Sequence, residues 1–87
     1  MNLNIVHKNF INKLEADGKS ESTLIAYNKD IEQLVKFAKD SGVNDVNELK
    51  ASHIESFMED LLENGYTAKT VSRKTNAART FVKYAYD

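Results

Sequence analysis

Proline is absent from this chain of 87 residues, and glycine occurs three times, at Gly18, Gly42 and Gly65. Helices tolerate neither residue well in their interior, and glycine is the residue that most often ends one. Between the glycines, apolar residues recur at spacings of three and four, as they do on a helix with one buried face. The sequence therefore predicts an all-α domain whose helices stop at glycines.

The apolar spacing and the capping residues predict four helices, at about residues 3–17, 20–41, 52–64 and 68–87. Ser20 or Ser22 can cap the second helix, and Thr67 is placed to cap the fourth. Ser52 and Glu55 have the spacing of a capping box for the third helix. A short turn that begins at Asp45 would make the bundle one of four to five helices.

Composition places the chain, residues 1–87, in one small globular domain, because 41% apolar and 29% charged residues are ordinary values for a folded protein. The lack of cysteine excludes a disulfide framework and makes an intracellular, cytoplasmic setting the simplest expectation. No apolar run approaches the roughly 20 residues of a membrane span, and no signal-peptide pattern is visible. We therefore expect a soluble protein with no membrane partner.

Charge is distributed unevenly along the chain, although the formal net charge is −1. Residues 41–65 contain one basic and six acidic side chains, whereas residues 66–87 contain five basic and one acidic side chain. Local fields rather than net charge steer a polyanion toward a protein surface. The last helix is thus a candidate nucleic-acid surface, while an ordinary solvated Lys/Arg face remains the alternative.

Two helices have outer faces rich in hydrogen-bond donors, the side chains that suit phosphates and base edges. The outer face of helix 4 holds Lys69, Ser72, Arg73, Asn76, Thr80 and Lys83, with Arg79 on its flank. The outer face of helix 2 holds Ile25, Asn28, Lys29, Glu32, Lys36 and Lys39. Ile25 can meet a thymine methyl group or be ordinary exposed surface. Lys74 lies nearer the apolar stripe, either at a core edge or facing a neighbouring chain.

No complete catalytic or metal-binding set is recognisable in the sequence. His7 and His53 are isolated on different helices, which favours surface or capping roles. The glycines are single helix stops and do not form a phosphate-cradling loop. The acidic residues of helix 3 have the spacing of a solvated face and not of a general acid and base. We therefore expect no cofactor, no metal and no enzymatic activity.

Two stretches of the chain resemble one protein family. The string Ser20-Glu21-Ser22-Thr23-Leu24-Ile25-Ala26-Tyr27-Asn28-Lys29-Asp30-Ile31, followed by Leu34 and Phe37, resembles the opening of the core-binding domain of tyrosine recombinases, the phage integrase and Xer group. Residues 65–74, then Asn76-Ala77-Ala78-Arg79 and Phe81-Val82-Lys83-Tyr84, are similar to the last helix of that domain. The resemblance implies a SAM-like orthogonal bundle built from two helical hairpins that cross.

The resemblance also implies a function, because in that family this domain forms half of a clamp around duplex DNA, with the equivalents of helices 2 and 4 facing the major groove. By position, the residues that contact DNA would be Ser20, Ser22, Thr23, Ile25, Asn28 and Lys29 at helix 2, and Lys69, Thr70, Arg73, Asn76, Arg79 and Lys83 at helix 4. Base contacts would come from Arg73, Asn76 and Ile25. The flank position of Arg79 leaves a buried or interdomain role open.

The same resemblance identifies the chain as a non-catalytic domain of a site-specific recombinase or integrase. The family's catalytic tyrosine and its Arg, Lys and His partners belong to the domain that follows. The expected partners are duplex DNA, that catalytic domain and other protomers assembled on DNA. Asn28-Lys29 stands where family members often have two basic residues, and helix 3 is acidic, so we expect a low intrinsic affinity.

Two other classes of protein remain open on the sequence. The first is a helical protein-interaction module, in which acidic helix 3 and basic helix 4 dock to complementary partners. The second is a stand-alone regulator of the helix-turn-helix type, which ranks third because the segments at Gly18 and Gly65 do not join two short helices around a recognition helix. A protein-docking role would need an exposed apolar patch.

Overall fold

The computed structural model describes residues 1–86, which form four α-helices joined by short loops. The helices are α1 (Leu3–Ala16), α2 (Glu21–Asp40), α3 (Ala51–Glu63) and α4 (Ala68–Tyr86), with a 3₁₀ turn at Val46–Glu48 between α2 and α3. The predicted all-α bundle is confirmed, and the helix ends lie within about one residue of those expected from caps and glycines. Position 87, which the prediction included in helix 4, lies outside the described residues.

The end of α2 shows how a glycine stops a helix in this chain. Gly42 has a φ of +87°, a left-handed conformation that a residue with a Cβ rarely adopts. This conformation turns the chain so that the Val43 N–H donates to the Ala38 carbonyl at 2.8 Å. The pattern is that of a Schellman cap, and it brings the Val43 side chain into the core.

Two predicted N-caps are confirmed. Ser20 Oγ accepts the Thr23 N–H at 3.3 Å at the start of α2, and Thr67 Oγ1 accepts the Thr70 N–H at 3.3 Å at the start of α4. The 3₁₀ turn begins with the expected reciprocal pair, in which the Asp45 N–H donates to Glu48 Oε1 at 3.2 Å.

The capping box predicted for Ser52 and Glu55 is wrong. Lys50 is extended and α3 begins at Ala51, one residue earlier than predicted. His53 therefore occupies the third helical position, where its Nδ1 accepts the Lys50 N–H at 2.9 Å. An imidazole in this place performs the backward hydrogen bond that a Glu makes in the usual box. The capping role considered for His53 is confirmed.

Helix α4 packs against all three other helices, and α1 also packs against α2. Phe10 of α1 lies at the centre, with its ring centroid 5.5 Å from that of Phe81 and 5.8 Å from that of Tyr27. Phe57 of α3 is also fully buried. Leu62 of α3, in contrast, is 51% exposed. The core thus fixes α4 between α2 on one flank and α3 on the other.

None of the helices within residues 1–86 has both the length and the apolar character that crossing a membrane requires.

Candidate nucleic-acid interface

A groove of about 360 Å³ runs between the first halves of α2 and α4. Its lining residues are Ser22, Thr23, Ala26, Tyr27 and Asp30 from α2, and Arg73, Asn76 and Ala77 from α4. We call it the α2/α4 groove. The fold thus brings hydroxyls from the start of α2 next to the Arg and Asn side chains that the sequence placed on the outer face of helix 4. Two distant segments form one donor-rich concave surface.

The hydroxyls at the start of α2 form a small hydrogen-bonded cluster. Ser20 Oγ donates to Thr23 Oγ1 at 2.9 Å and lies 3.3 Å from Ser22 Oγ. These side chains surround a helix N-terminus, where free amides and the helix dipole favour anions. The cluster therefore has the chemistry of a phosphate contact at one mouth of the groove.

The floor of the α2/α4 groove is an ion cluster centred on Asp30. The Asp30 carboxylate is 3% exposed, and its Oδ1 accepts from Lys74 Nζ at 2.8 Å and from an Arg73 Nη at 3.2 Å. Lys74 is buried, whereas the side chain of Arg73 is 58% exposed. The cluster places one negative charge against two positive charges, so the groove retains a net positive charge.

Lys74 and Tyr66 fasten the loop before α4 to α2. Lys74 Nζ lies 5.5 Å from the centroid of the Tyr66 ring, within the range of a cation–π contact. The Tyr66 hydroxyl accepts from Gln33 Nε2 of α2 at 3.2 Å. Of the two positions that the sequence left open for Lys74, the structure shows the core edge.

The sequence prediction missed Asp30, although a signal for it exists. Asp30 lies three residues after Tyr27 and four before Leu34, both of which are on the apolar face of α2. Residues at these spacings share one helix face, so a carboxylate there must be buried and requires a cationic partner. Lys74, the one basic residue set close to the apolar stripe of helix 4, is that partner.

The remaining predicted site residues lie around the groove or away from it. Ser20, Lys29, Lys69 and Lys83 are exposed, and Thr70 is half-buried beside Thr67. Ile25 is 50% exposed and does not line the groove. Asn28 is exposed, but two residues along a helix correspond to about 200° of rotation, so Asn28 points away from Asp30 and the groove.

Arg79 lies on the opposite flank of α4, facing α3. It lines one groove with Ile54, Glu55 and Lys83, and another with Met58 and Leu62. Its Nη1 reaches Asn76 Oδ1 at 3.5 Å, the outer limit of a hydrogen bond. The side chain is exposed, which excludes the buried role that the sequence left open for it within this domain.

The basic side chains of the outer face of α4 keep their charge available. Within residues 1–86, the ion pairs that involve α4 are the two to Asp30, so no carboxylate pairs with Lys69, Arg79 or Lys83. No α3 residue lines the α2/α4 groove. The acidic residues of α3 therefore do not pair with the cations of this groove.

Two pKa shifts stand out, and both lie outside the α2/α4 groove. The Asp17 carboxylate, at the C-cap of α1 and four residues after Lys13, accepts a hydrogen bond from Lys13 and raises the pKa of that amine. The N-terminal amine donates to Asp45 at 2.8 Å and lowers the pKa of this carboxyl, with a further contribution from the Asn47 N–H. The first pair joins neighbouring turns at the end of α1, and the second joins the N-terminus to the 3₁₀ turn; both pairs are exposed.

No group of three or more His, Asp or Glu side chains within residues 1–86 is arranged to hold a metal ion. The polar residues of the groove are hydroxyls, an amide and the Asp30 cluster. This set can donate hydrogen bonds to phosphate oxygens and base edges. It provides surface chemistry for binding a polyanion.

The helical bundle and its donor-rich groove belong to a known class of domain. The family model described as "Phage integrase, N-terminal SAM-like domain" matches residues 8–87, and the chain belongs to this family. The resemblance noted from the sequence is thereby confirmed.

Among curated proteins, the chain is 34% identical over 65 residues to tyrosine recombinase XerD of Caulobacter vibrioides and 29% identical over 65 residues to tyrosine recombinase XerC of Bacillus pumilus. Both matches cover 75% of this chain and 21% of the relative. Tyrosine recombinase XerD of Brucella abortus is 25% identical over 87 residues, which is 99% of this chain and 28% of that protein. The chain thus spans roughly a fifth to a quarter of these relatives. No solved structure matches it significantly.

Proposed function

We propose that this chain binds duplex DNA as the core-binding domain of a site-specific tyrosine recombinase and forms one half of a clamp on the recombination half-site. The α2/α4 groove is the observation that carries this proposal. It combines a capped helix N-terminus, hydroxyls, an Arg and an Asn on one surface, and its cations outnumber its one carboxylate. Membership of the integrase family supports the same conclusion.

In this proposal the groove divides its contacts between backbone and bases. Phosphate oxygens bind at the start of α2 and along the exposed rim; the side chains concerned are Ser20, Ser22, Thr23, Asn28, Lys29, Lys69, Thr70, Arg79 and Lys83. Arg73 and Asn76 reach base edges, because Arg suits guanine and Asn suits adenine in the major groove. Ile25, which is exposed outside the groove, would provide an apolar contact at the start of α2. Asn28 and Arg79 point away from the groove and would meet DNA at its margins.

The chemistry of recombination would reside in a catalytic domain elsewhere in a longer parent protein, as it does in the family that the chain resembles. This domain would contribute affinity for DNA, correct positioning on the half-site and contacts with neighbouring protomers. The protein would act in the cytoplasm. The fraction of the relatives that the chain spans is consistent with one domain of such a protein. Alone, the domain would carry out no strand cleavage.

An amide NMR titration with a short duplex tests the proposal. We expect perturbations over residues 20–29 and 69–83 that weaken as salt rises from about 50 to 200 mM, because phosphate contacts release counterions. Lys69→Gln should weaken binding, whereas Lys8→Gln, which removes an exposed charge from α1, is the matched control and should not. Absence of perturbation at low salt, or perturbation centred on α3, would contradict duplex binding by this groove.

The protein-interaction module remains the second candidate, and one observation favours it. Leu62 is half-exposed next to Met58 in an apolar groove between α3 and α4, beside an acidic helix face. The same titration separates the two candidates. A DNA-binding domain responds to duplex along α2 and α4 together, whereas a docking module, which binds its partners through helices 3 and 4, gives no response along α2.

A further inference from the structure

The Arg73 guanidinium is already oriented before any ligand binds. It donates one hydrogen bond to Asp30 Oδ1 at 3.2 Å, the one side-chain bond that it makes within residues 1–86. A guanidinium carries five N–H donors, so most of its hydrogen-bonding edge remains available. The side chain is 58% exposed at the rim of the groove, next to Asn76. One nitrogen of the Arg73 guanidinium is thus hydrogen-bonded to Asp30, and the donors on the others are available to a ligand.

Asp30 can hold the Arg73 guanidinium without depending on it for charge balance, because Lys74 is the main partner of Asp30. Lys74 Nζ lies closer to Oδ1, at 2.8 Å, and is itself buried. A buried carboxylate with no cationic partner is strongly unfavourable, and Lys74 provides that partner. The remaining N–H donors of Arg73 can therefore bind a ligand while Lys74 balances the charge of Asp30.

We propose that Asp30 is a positioning residue for sequence recognition, which holds the Arg73 guanidinium in the orientation that reads a guanine edge while Lys74 balances its charge. This inference rests on the proposed DNA-binding function. An Arg side chain loses considerable rotamer freedom when it is fixed, and a guanine is recognised by two parallel N–H donors. A carboxylate that orients the guanidinium before DNA binds increases discrimination between bases rather than general attraction to DNA.

Two double variants test this role at constant net charge. Asp30→Ala with Lys74→Met and Asp30→Asn with Lys74→Met each remove one negative and one positive charge, so the net charge of the chain is unchanged. Replacing a buried ion pair with neutral side chains is often tolerated. The two variants differ in one respect, because Asn keeps an oxygen that accepts from Arg73 and Ala does not.

The measurement is the base preference of the chain in a random-sequence duplex pool at low salt, followed by dissociation constants for the selected duplex and for one with the Arg73-dependent guanine replaced. Arg73→Gln identifies that guanine, since this variant should lose the preference there. We expect the Ala double variant to lose about fivefold or more of the preference, within the range of a bidentate contact. The Asn double variant should keep most of it. For each variant the preference is the ratio of its two dissociation constants, so a change in affinity common to both duplexes does not affect the comparison.

Each contrary outcome has one meaning. If the wild type binds no duplex, the proposed function fails and this inference fails with it. If it binds duplex but selects no guanine that depends on Arg73, or if the Ala double variant keeps the wild-type preference, DNA binding stands and the positioning role of Asp30 is wrong. Should the Ala variant not fold, Asp30→Leu with Lys74→Met replaces it, since leucine likewise accepts no hydrogen bond.

Discussion

Lys74 and Thr75 are neighbours in α4, and both are buried polar residues, yet they lie on different flanks of the helix. Lys74 faces α2 and is paired with Asp30 at 2.8 Å. Thr75 faces α3, where its Oγ1 has no hydrogen-bond partner among the described residues. The α2 flank is thus built around a satisfied ion cluster, and the α3 flank around an apolar contact that contains one unsatisfied hydroxyl.

On the α2 flank, polar contacts fix the alignment of α4, whereas on the α3 flank α4 is held mainly by apolar packing. A buried charge needs a dedicated partner, so Asp30 and Lys74 fix how α2 and α4 align and thereby fix the groove between them. Apolar surfaces such as that formed by Met58 and Val71 depend on shape, and volume-conserving changes in them are better tolerated. We therefore expect changes on the α2 flank to alter both stability and DNA binding, and changes on the α3 flank to have at most a small effect on DNA binding.

The largest effect should come from breaking the ion cluster. Lys74→Met leaves the Asp30 carboxylate buried with Arg73 as its remaining partner, and we expect a loss of about 3 kcal/mol in the free energy of unfolding. Urea denaturation measures this loss. Lys69→Met removes an exposed lysine from the same helix and should change stability by about 0.5 kcal/mol or less. Equal effects of the two substitutions would show that the pair contributes nothing to the α2 flank.

The second effect contrasts two arginines of α4. Arg73→Gln and Arg79→Gln each remove one positive charge, but Arg73 lines the α2/α4 groove and Arg79 faces α3. We expect Arg73→Gln to weaken duplex binding about tenfold, and more for a preferred site than for random duplex, whereas Arg79→Gln should weaken it by about threefold or less. Fluorescence anisotropy over a range of salt concentrations measures both. Similar losses would mean that the outer face of α4 acts as a diffuse positive charge.

The third effect has the opposite sign and tests the α3 flank. Thr75→Val removes the unsatisfied hydroxyl while keeping the shape of the side chain, so we expect a gain of about 0.5 to 1 kcal/mol in stability. DNA binding should not change. Thr80→Val is the control, because the Thr80 hydroxyl is exposed and bonds the Asn76 carbonyl. A loss of stability in Thr75→Val would show that its hydroxyl has a partner in solution.

The periodic features of the molecule could be predicted from the sequence. Helix bounds, glycine stops and the caps at Ser20 and Thr67 depend on residues close together in the chain. The outer faces of α2 and α4 followed from the same periodicity. Whether each predicted side chain contacts DNA stays a prediction.

The features that the sequence prediction missed depend on how helices are placed against each other. The spacing of Asp30 indicates a buried carboxylate, but nothing local shows that its partner is a lysine 44 positions away or that Arg73 also binds it. The N-cap of α3 was misplaced because an imidazole took the role expected of Glu55. In each case the hydrogen-bond partner was a residue that the sequence motif did not include: Lys74 for Asp30, and His53 at the start of α3.

The smallest effect concerns the acidic face of α3. Glu59→Gln with Glu63→Gln removes two exposed negative charges from the helix beyond α4, and neither residue lines the α2/α4 groove. Since exposed charges are screened over about 10 Å at 0.1 M salt, duplex affinity should rise by about twofold or less at low salt. At about 0.5 M salt, where screening is stronger, the gain should disappear. A rise well above fivefold would place α3 against the DNA, and the two flanks of α4 would then share one binding surface.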